Sequence, residues 1–288
     1  MASPPPAPSL RTLLLPAHLD FIALVLVAAL AAAYLAGTGR LARRGRRWSP
    51  ARTAAFLSGS AVVVVATQTG IARYDTTLFS AHVVQHVLLG MVAPVLLALG
   101  APVTLLLQAG HPATKALVRR ILDSSAAAVV THPLVATALF AFTLPALYFT
   151  PIYEWSLRYP VVHVWLHVHF VVVGVLFAEA VVGIDLNRHR WGYPARLGLV
   201  LATVPLHAFL GVALLSSTSV IAGDWYAGTE RPWGASALSD QHTGAGILWA
   251  AGELFGLILG AVVLARWMAH SEREARRNDR LLDAGLAS

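Results

Sequence analysis

Two pairs of histidines, His82 with His86 and His163 with His167, stand four residues apart inside long apolar runs. On a helix that spacing puts both rings of a pair on one face, one turn above the other. At membrane depth an imidazole needs a protein interior or a wet cavity, since acyl chains offer it no hydrogen-bond partner. Two such stacks on neighbouring helices can supply three or four nitrogens to one ion, so His82, His86, His163 and His167 are read as metal ligands. His207, beside Pro205, is a deeper candidate ligand. Glu253, at a similar depth, and Asp240, near the start of the same run, are candidates for orienting the ligands from outside.

For any single histidine the competing reading is a hydrogen bond between helices, and it is preferred for His18, His169 and His242, which lack a stacked partner. His111, His132, His189 and His270 fall among basic loop residues and read as solvated side chains. The absence of cysteine excludes disulfides, thiolate metal sites and thiol nucleophiles. With only Met1, Met91 and Met268, a thioether copper site is not expected, which leaves imidazole with carboxylate support as the donor chemistry. No catalytic triad or nucleophile elbow is present in the sequence, and no enzyme activity is expected. The loop from Gly223 to Gln241, with Trp225, Tyr226 and Trp233, reads as an interfacial aromatic belt or a docking surface for a membrane partner.

The elements that must hold these residues are membrane spans. Of 288 residues, 57% are hydrophobic and 12% charged, where a soluble domain has about a quarter charged. Mean hydropathy is +0.66. The runs predict an all-α, seven-transmembrane bundle over residues 13–270, with a disordered Pro-rich leader over 1–12 and a charged cytoplasmic tail over 271–288. The spans are placed at about Pro16–Gly37, Ala54–Ile71, Phe79–Gln108, His132–Phe149, Val161–Gly183, Leu197–Val220 and Thr243–Trp267. Pro94 is expected to kink the third. The leader lacks the pattern of a cleaved signal peptide and is read as part of the mature chain.

The net charge of +7 would suggest nucleic acid in a soluble protein, but here it serves topology. Alternate loops and the C-terminal tail hold 17 of the 21 basic residues, leaving Arg11, Arg73, Arg158 and Arg231 on the other side. This predicts the N-terminus outside and the C-terminus in the cytoplasm, with both histidine pairs entering from outside.

With these residues assembled, the chain resembles the CtaG-type integral-membrane cytochrome c oxidase assembly factors of bacteria over roughly Ala54 to Arg280. The likeness rests on His82-x-x-x-His86 through Pro94 and Leu99-Gly-Ala-Pro102, Phe149-Thr-Pro151-Ile-Tyr153, and His163-x-x-x-His167-x-His169-Phe170. It continues in Pro205-Leu-His207-Ala-Phe209-Leu-Gly211, Asp224-Trp225-Tyr226, Asp240-Gln241, Trp249 and Gly252-Glu253. The resemblance implies a plasma-membrane protein that matures haem-copper oxidase at a copper centre, with a copper ion as its bound group and oxidase subunits as partners. Beyond these, membrane lipid, a second copy of the chain and no nucleic acid are the expected associations. A haem-binding electron-transfer protein would use the same histidines as axial ligands. A proton-coupled metal transporter would use His207 and Glu253 as a relay.

Overall fold

The computed structural model describes residues 5–14, 20–183, 185, 191–229 and 231–283. It is 82% helix, with no strand among the described residues. Among the described residues, six helices are long and apolar enough to cross a membrane: α1 (Phe21–Arg43), α2 (Pro50–Gln68), α3 (Phe79–Ala109), α6 (Pro160–Val182), α7 (Tyr193–Leu215) and α8 (Ala237–Asp283). Between α3 and α6, α4 (Pro133–Phe149) and α5 (Ile152–Arg158) are bent by 71° at Thr150–Pro151, and counted as one span they make seven. Large apolar side chains such as Phe21, Leu30, Phe209 and Leu257 face outward, as a multi-pass membrane protein requires.

Boundaries follow the capping chemistry. α1 begins at Phe21, five residues later than the hydropathy run, because the Asp20 carboxylate accepts from the Ile22 and Ala23 amides at 3.0 Å. Asp20 and Gln68 also exchange a pair of hydrogen bonds that ties the start of α1 to the end of α2. Pro50, Pro133 and Pro160 each sit in the first turn of their helix, where a missing amide proton costs nothing.

α3 runs through the middle of the bundle, packed by α2, α6 and α8. Pro94 does not simply kink it: the turn before the proline widens to a π turn over Leu88–Val92, in which the Ala93 amide reaches the Leu88 carbonyl. Both halves of α3 are capped by carboxylates distant in sequence, one from the first turn of α8 and one from the connection after α6. Asp240 accepts from the Phe79 and Ser80 amides at 2.7 and 3.4 Å and from the Ser80 hydroxyl at 2.6 Å. After Gly100 the chain passes through Ala101 at φ 49° and restarts at Pro102, where Asp185 accepts from the Val103 and Thr104 amides at 2.8 and 2.7 Å. Gly174 on α6 lies against the Gly90 carbonyl and the Pro94 ring, so the two helices that carry the paired histidines cross at backbone distance.

α7 packs along α8 on a row of small residues: Gly252 faces the His207 side chain and Gly256 faces Val204. The Pro-rich start, expected to be disordered, has its Pro5 and Pro6 carbonyls bonded by the Trp233 indole and the Tyr74 hydroxyl, each at 2.8 Å, and forms a short helix at Leu10–Leu14. The charged tail from residue 271 continues α8 as helix to Asp283.

A buried histidine cluster at one end of the bundle

The histidine end of α3 begins at Phe79, which Asp240 holds and which packs edge-on against Tyr153 and tilted against Tyr148. One turn in, His82 is fully buried, and one turn further His86 is nearly so. Their ring centroids lie 3.9 Å apart. α6 brings His163 and His167 alongside, 4.5 Å apart, with His163 at 5.9 Å from His82. The four paired histidines therefore converge on one place. Tyr153 on α5 closes over His82 at 4.8 Å, and Phe170 lies against His86 at 4.1 Å.

Two polar partners that the sequence reading did not assign to the site set the proton positions. Asp75, in the connection before α3, is 4% exposed, and its carboxylate lies 3.1 Å from His163 Nε2. A carboxylate accepts, so Nε2 carries the proton, and the buried Nδ1, without a hydrogen-bond partner among the described residues, is the nitrogen left to ligate when the ring is neutral. Gln85 is fully buried between the two α3 histidines. Its amide nitrogen donates to the Ala66 carbonyl at 3.0 Å, so its oxygen faces His167 Nε2 at 2.9 Å. His167 must then donate through Nε2, which leaves its Nδ1 lone pair available.

Among the described residues, both His82 nitrogens and His86 Nε2 are also buried without a hydrogen-bond partner. Unsatisfied buried nitrogens are rare, and a cluster of them with fixed tautomers suits a cation that the imidazoles would ligate. Asp75, His163 and His167 each bring one ligand-type atom within 4.8 Å of the others. A half-open pocket of about 320 Å³, lined by Asp20, Arg73, Asp75, Ser156, His163 and His167, leads to this side of the cluster.

A short helix, Gly223–Ala227, covers the same end. Trp225 donates from its indole to the Thr76 carbonyl at 2.8 Å, and the Tyr226 and Tyr153 hydroxyls lie 2.6 Å apart. Burial above all pushes the Tyr226 phenol above its ordinary range, so this contact stays a bond between two neutral hydroxyls.

His207 is not part of the cluster. It lies deeper, on α7, and its Nδ1 bonds the Thr203 carbonyl of its own helix at 2.9 Å. No hydrogen bond joins it to half-buried Glu253 among the described residues, although that carboxylate is close enough to act on it electrostatically. Asp240 caps α3 and so helps to set the position of the helix that carries His82 and His86. His169 faces α4, where it bonds the Thr143 hydroxyl at 3.0 Å, and His242 bonds the Ser217 carbonyl at 3.0 Å. His18 and His189 lie outside the described residues.

Asp75 sits in a connection too short to carry its carboxylate away from the entry of α3, and that was the available signal for it. Gln85 has the same i+3 relation to His82 that places residues on one helix face. Tyr148 had no local signal, and Tyr153 stood out only within the motif Phe149-Thr-Pro151-Ile-Tyr153, because their place beside the histidine end depends on the bend between α4 and α5.

The family model for the cytochrome c oxidase caa3 assembly factor (Caa3_CtaG) matches residues 32–270 of the chain. Similar proteins include uncharacterised proteins of Mycobacterium bovis and Mycobacterium tuberculosis, each 37% identical over 265 residues, covering 90% of this chain and 40% of theirs. An uncharacterised protein of Mycobacterium leprae is 37% identical over 261 residues, covering 88% of this chain and 40% of its own. The chain thus spans about two-fifths of the length of the curated relatives it matches. No solved structure matches it.

Proposed function

The chain belongs to the cytochrome c oxidase caa3 assembly factor family, and on that premise we propose that it holds a copper ion in the histidine cluster and supplies it to a haem-copper oxidase. The single observation that carries this is the convergence of four imidazoles, His82 and His86 buried and His163 and His167 partly so, two of them held by Asp75 and Gln85, with His82, His86 and His163 nitrogens that have no hydrogen-bond partner among the described residues. Imidazole suits copper, which heads the divalent affinity order. Without thiolates the ion is held less tightly than in a storage site, which fits a protein that must release it. The reading is of binding and hand-over, with no catalytic step assigned to the chain.

The same reading places the cluster on the outer face of a bacterial plasma membrane, since 17 of 21 basic residues belong to the opposite side. The pocket beside Arg73 and Asp75 then opens outward, and the aromatic segment around Trp225 and Tyr226 lies where an oxidase subunit could dock. A haem reading fits the geometry poorly. Ring centroids 3.9 to 5.9 Å apart, closed over by Tyr153 and Phe170, leave no slot for a porphyrin between axial histidines.

The test is His82→Ala combined with His167→Ala. The purified double variant is expected to lose the copper that the parent chain binds. In cells its only copy should leave the oxidase short of copper and activity. Oxidase with unchanged copper and turnover would reject the proposal.

A further inference from the structure

The far end of α3 from the histidines gathers cations around a neutral residue. Gln108, in the last turn of α3, has its carbonyl oxygen 3.4 Å from the Arg44 guanidinium and 3.2 Å from the Lys115 ammonium, and its side-chain oxygen 3.3 Å from Arg46. Arg40 stands exposed one turn before Arg44. Among the described residues none of these four cations pairs with a carboxylate. Asp185, which also reaches this part of α3, is committed to the Val103 and Thr104 amides. A helix C-terminus carries the equivalent of about half a negative charge, which offsets less than one of the four.

Next to the cations an apolar groove of about 160 Å³ lies between α1 and the end of α3, lined by Leu30, Ala33, Tyr34, Arg40, Leu105 and Leu106 among others. From Leu30 to Arg40, α1 rises about 15 Å. That is half of the roughly 30 Å hydrocarbon core, the depth of one leaflet. Apart from Arg40, the polar side chain on the wall is Tyr34, whose hydroxyl donates to the Gly100 carbonyl at 2.7 Å and accepts from the Trp48 indole at 2.9 Å. The helix that follows, Pro112–Leu122, carries Lys115, Arg119 and Arg120, and also Leu117 and Ile121, each 55% exposed and four residues apart on one face. An exposed apolar edge flanked by cations is the pattern of a helix lying in the membrane interface.

We propose that this end of the molecule binds one anionic phospholipid, its phosphate held by Arg44, Arg46 and Lys115 and one acyl chain lying in the groove between α1 and α3. Guanidinium and ammonium groups make their strongest hydrogen bonds to phosphate oxygens, and the negative headgroup relieves the repulsion among cations that share a single amide. The groove takes an apolar chain without leaving a polar side chain unpaired. By the charge count this is the cytoplasmic side, where anionic lipids attract basic segments next to a span. A free phosphate would answer the charge and leave the groove open to the bilayer, and a zwitterionic lipid would fill the groove and leave the charge. The lipid site is independent of any metal in the histidine cluster.

The full chain, stripped of lipid in a neutral detergent, is titrated with dioleoyl phosphatidylglycerol, dioleoyl phosphatidylcholine or inorganic phosphate. Bound lipid is read by native mass spectrometry and the unfolding midpoint is followed alongside. One phosphatidylglycerol per chain is expected, retained in preference to phosphatidylcholine and raising the midpoint. Each cation near an anionic headgroup is worth about fivefold, so Arg44→Gln combined with Arg46→Gln should weaken phosphatidylglycerol by about 25-fold. Both positions are exposed, so the lipid-free midpoint should stay at the parent's value. Ala33→Trp, which fills the groove from an exposed position, should weaken the same lipid with the cations intact. Equal retention of the two lipids, indifferent to the glutamine pair, would overturn the headgroup site and leave only a groove that any bilayer lipid fills. A midpoint raised by phosphate alone, lost in the glutamine pair and unaffected by Ala33→Trp, would overturn the lipid in favour of a free anion.

Discussion

Asp75 illustrates what a single partner does in this site. Its carboxylate accepts from His163 Nε2–H and so leaves Nδ1 as the nitrogen that can ligate. Such outer partners typically carry about 10- to 100-fold in metal affinity without contacting the metal. Asp75→Asn is therefore expected to lower copper affinity by that amount in a chelator titration while the chain still folds and keeps its stoichiometry. Loss of the equivalent altogether would make Asp75 a ligand in its own right, which its position within 4.8 Å of the His163 and His167 donors also allows. The paired histidines were legible in the sequence because their spacing is local to one helix. Asp75 lies in the connection before α3 with its partner 88 positions away, and nothing in a linear pattern couples the two. Gln85 was local, but an amide among imidazoles announces no role until the Ala66 carbonyl settles which way it faces.

At the scale of elements, the position of α6 against α3 decides whether the two histidine pairs meet. Gly174 sets that distance: a Cβ there would meet the Gly90 carbonyl oxygen and the Pro94 ring well inside contact distance, and neither can rotate away. Gly174→Leu should lower stability by at least the about 1–3 kcal/mol typical of overpacking, read as the unfolding midpoint in detergent, and should reduce copper binding along with it. Gly246, also on a helix but with open space where its Cβ would stand, is the control, and Gly246→Ala should leave both unchanged or slightly improved. The spans themselves were readable as apolar runs, since the bilayer sets their length. Their ends were not: α1 starts where Asp20 can cap it, and the proline of α3 is absorbed by a π turn whose extra residue no hydropathy pattern marks. The break between α4 and α5 was likewise hidden, because Phe149-Thr-Pro151 reads equally as a span end and as a 71° corner.

For the molecule as a whole, the histidine cluster can serve an extracytoplasmic oxidase subunit only if its end of the bundle faces outward. The charge count makes that orientation the expected one, and the chain is suited to testing it: it contains no cysteine, so a single introduced thiol is the only labelling site. Ala227, exposed at the end of the short helix over the cluster, and Ser271, exposed on α8 beyond its apolar stretch, mark the two ends. In intact cells, or in protoplasts where an outer barrier intervenes, Ala227→Cys should react with a membrane-impermeant maleimide, and Ser271→Cys should react only after the membrane is opened. The reverse pattern would place the cluster on the cytoplasmic side. Copper would then have to be drawn from the cytoplasm, and the pocket beside Arg73 and Asp75 could not serve as an entrance from outside. The orientation is thus the point on which the hand-over reading depends most, and it is independent of whether any histidine binds metal.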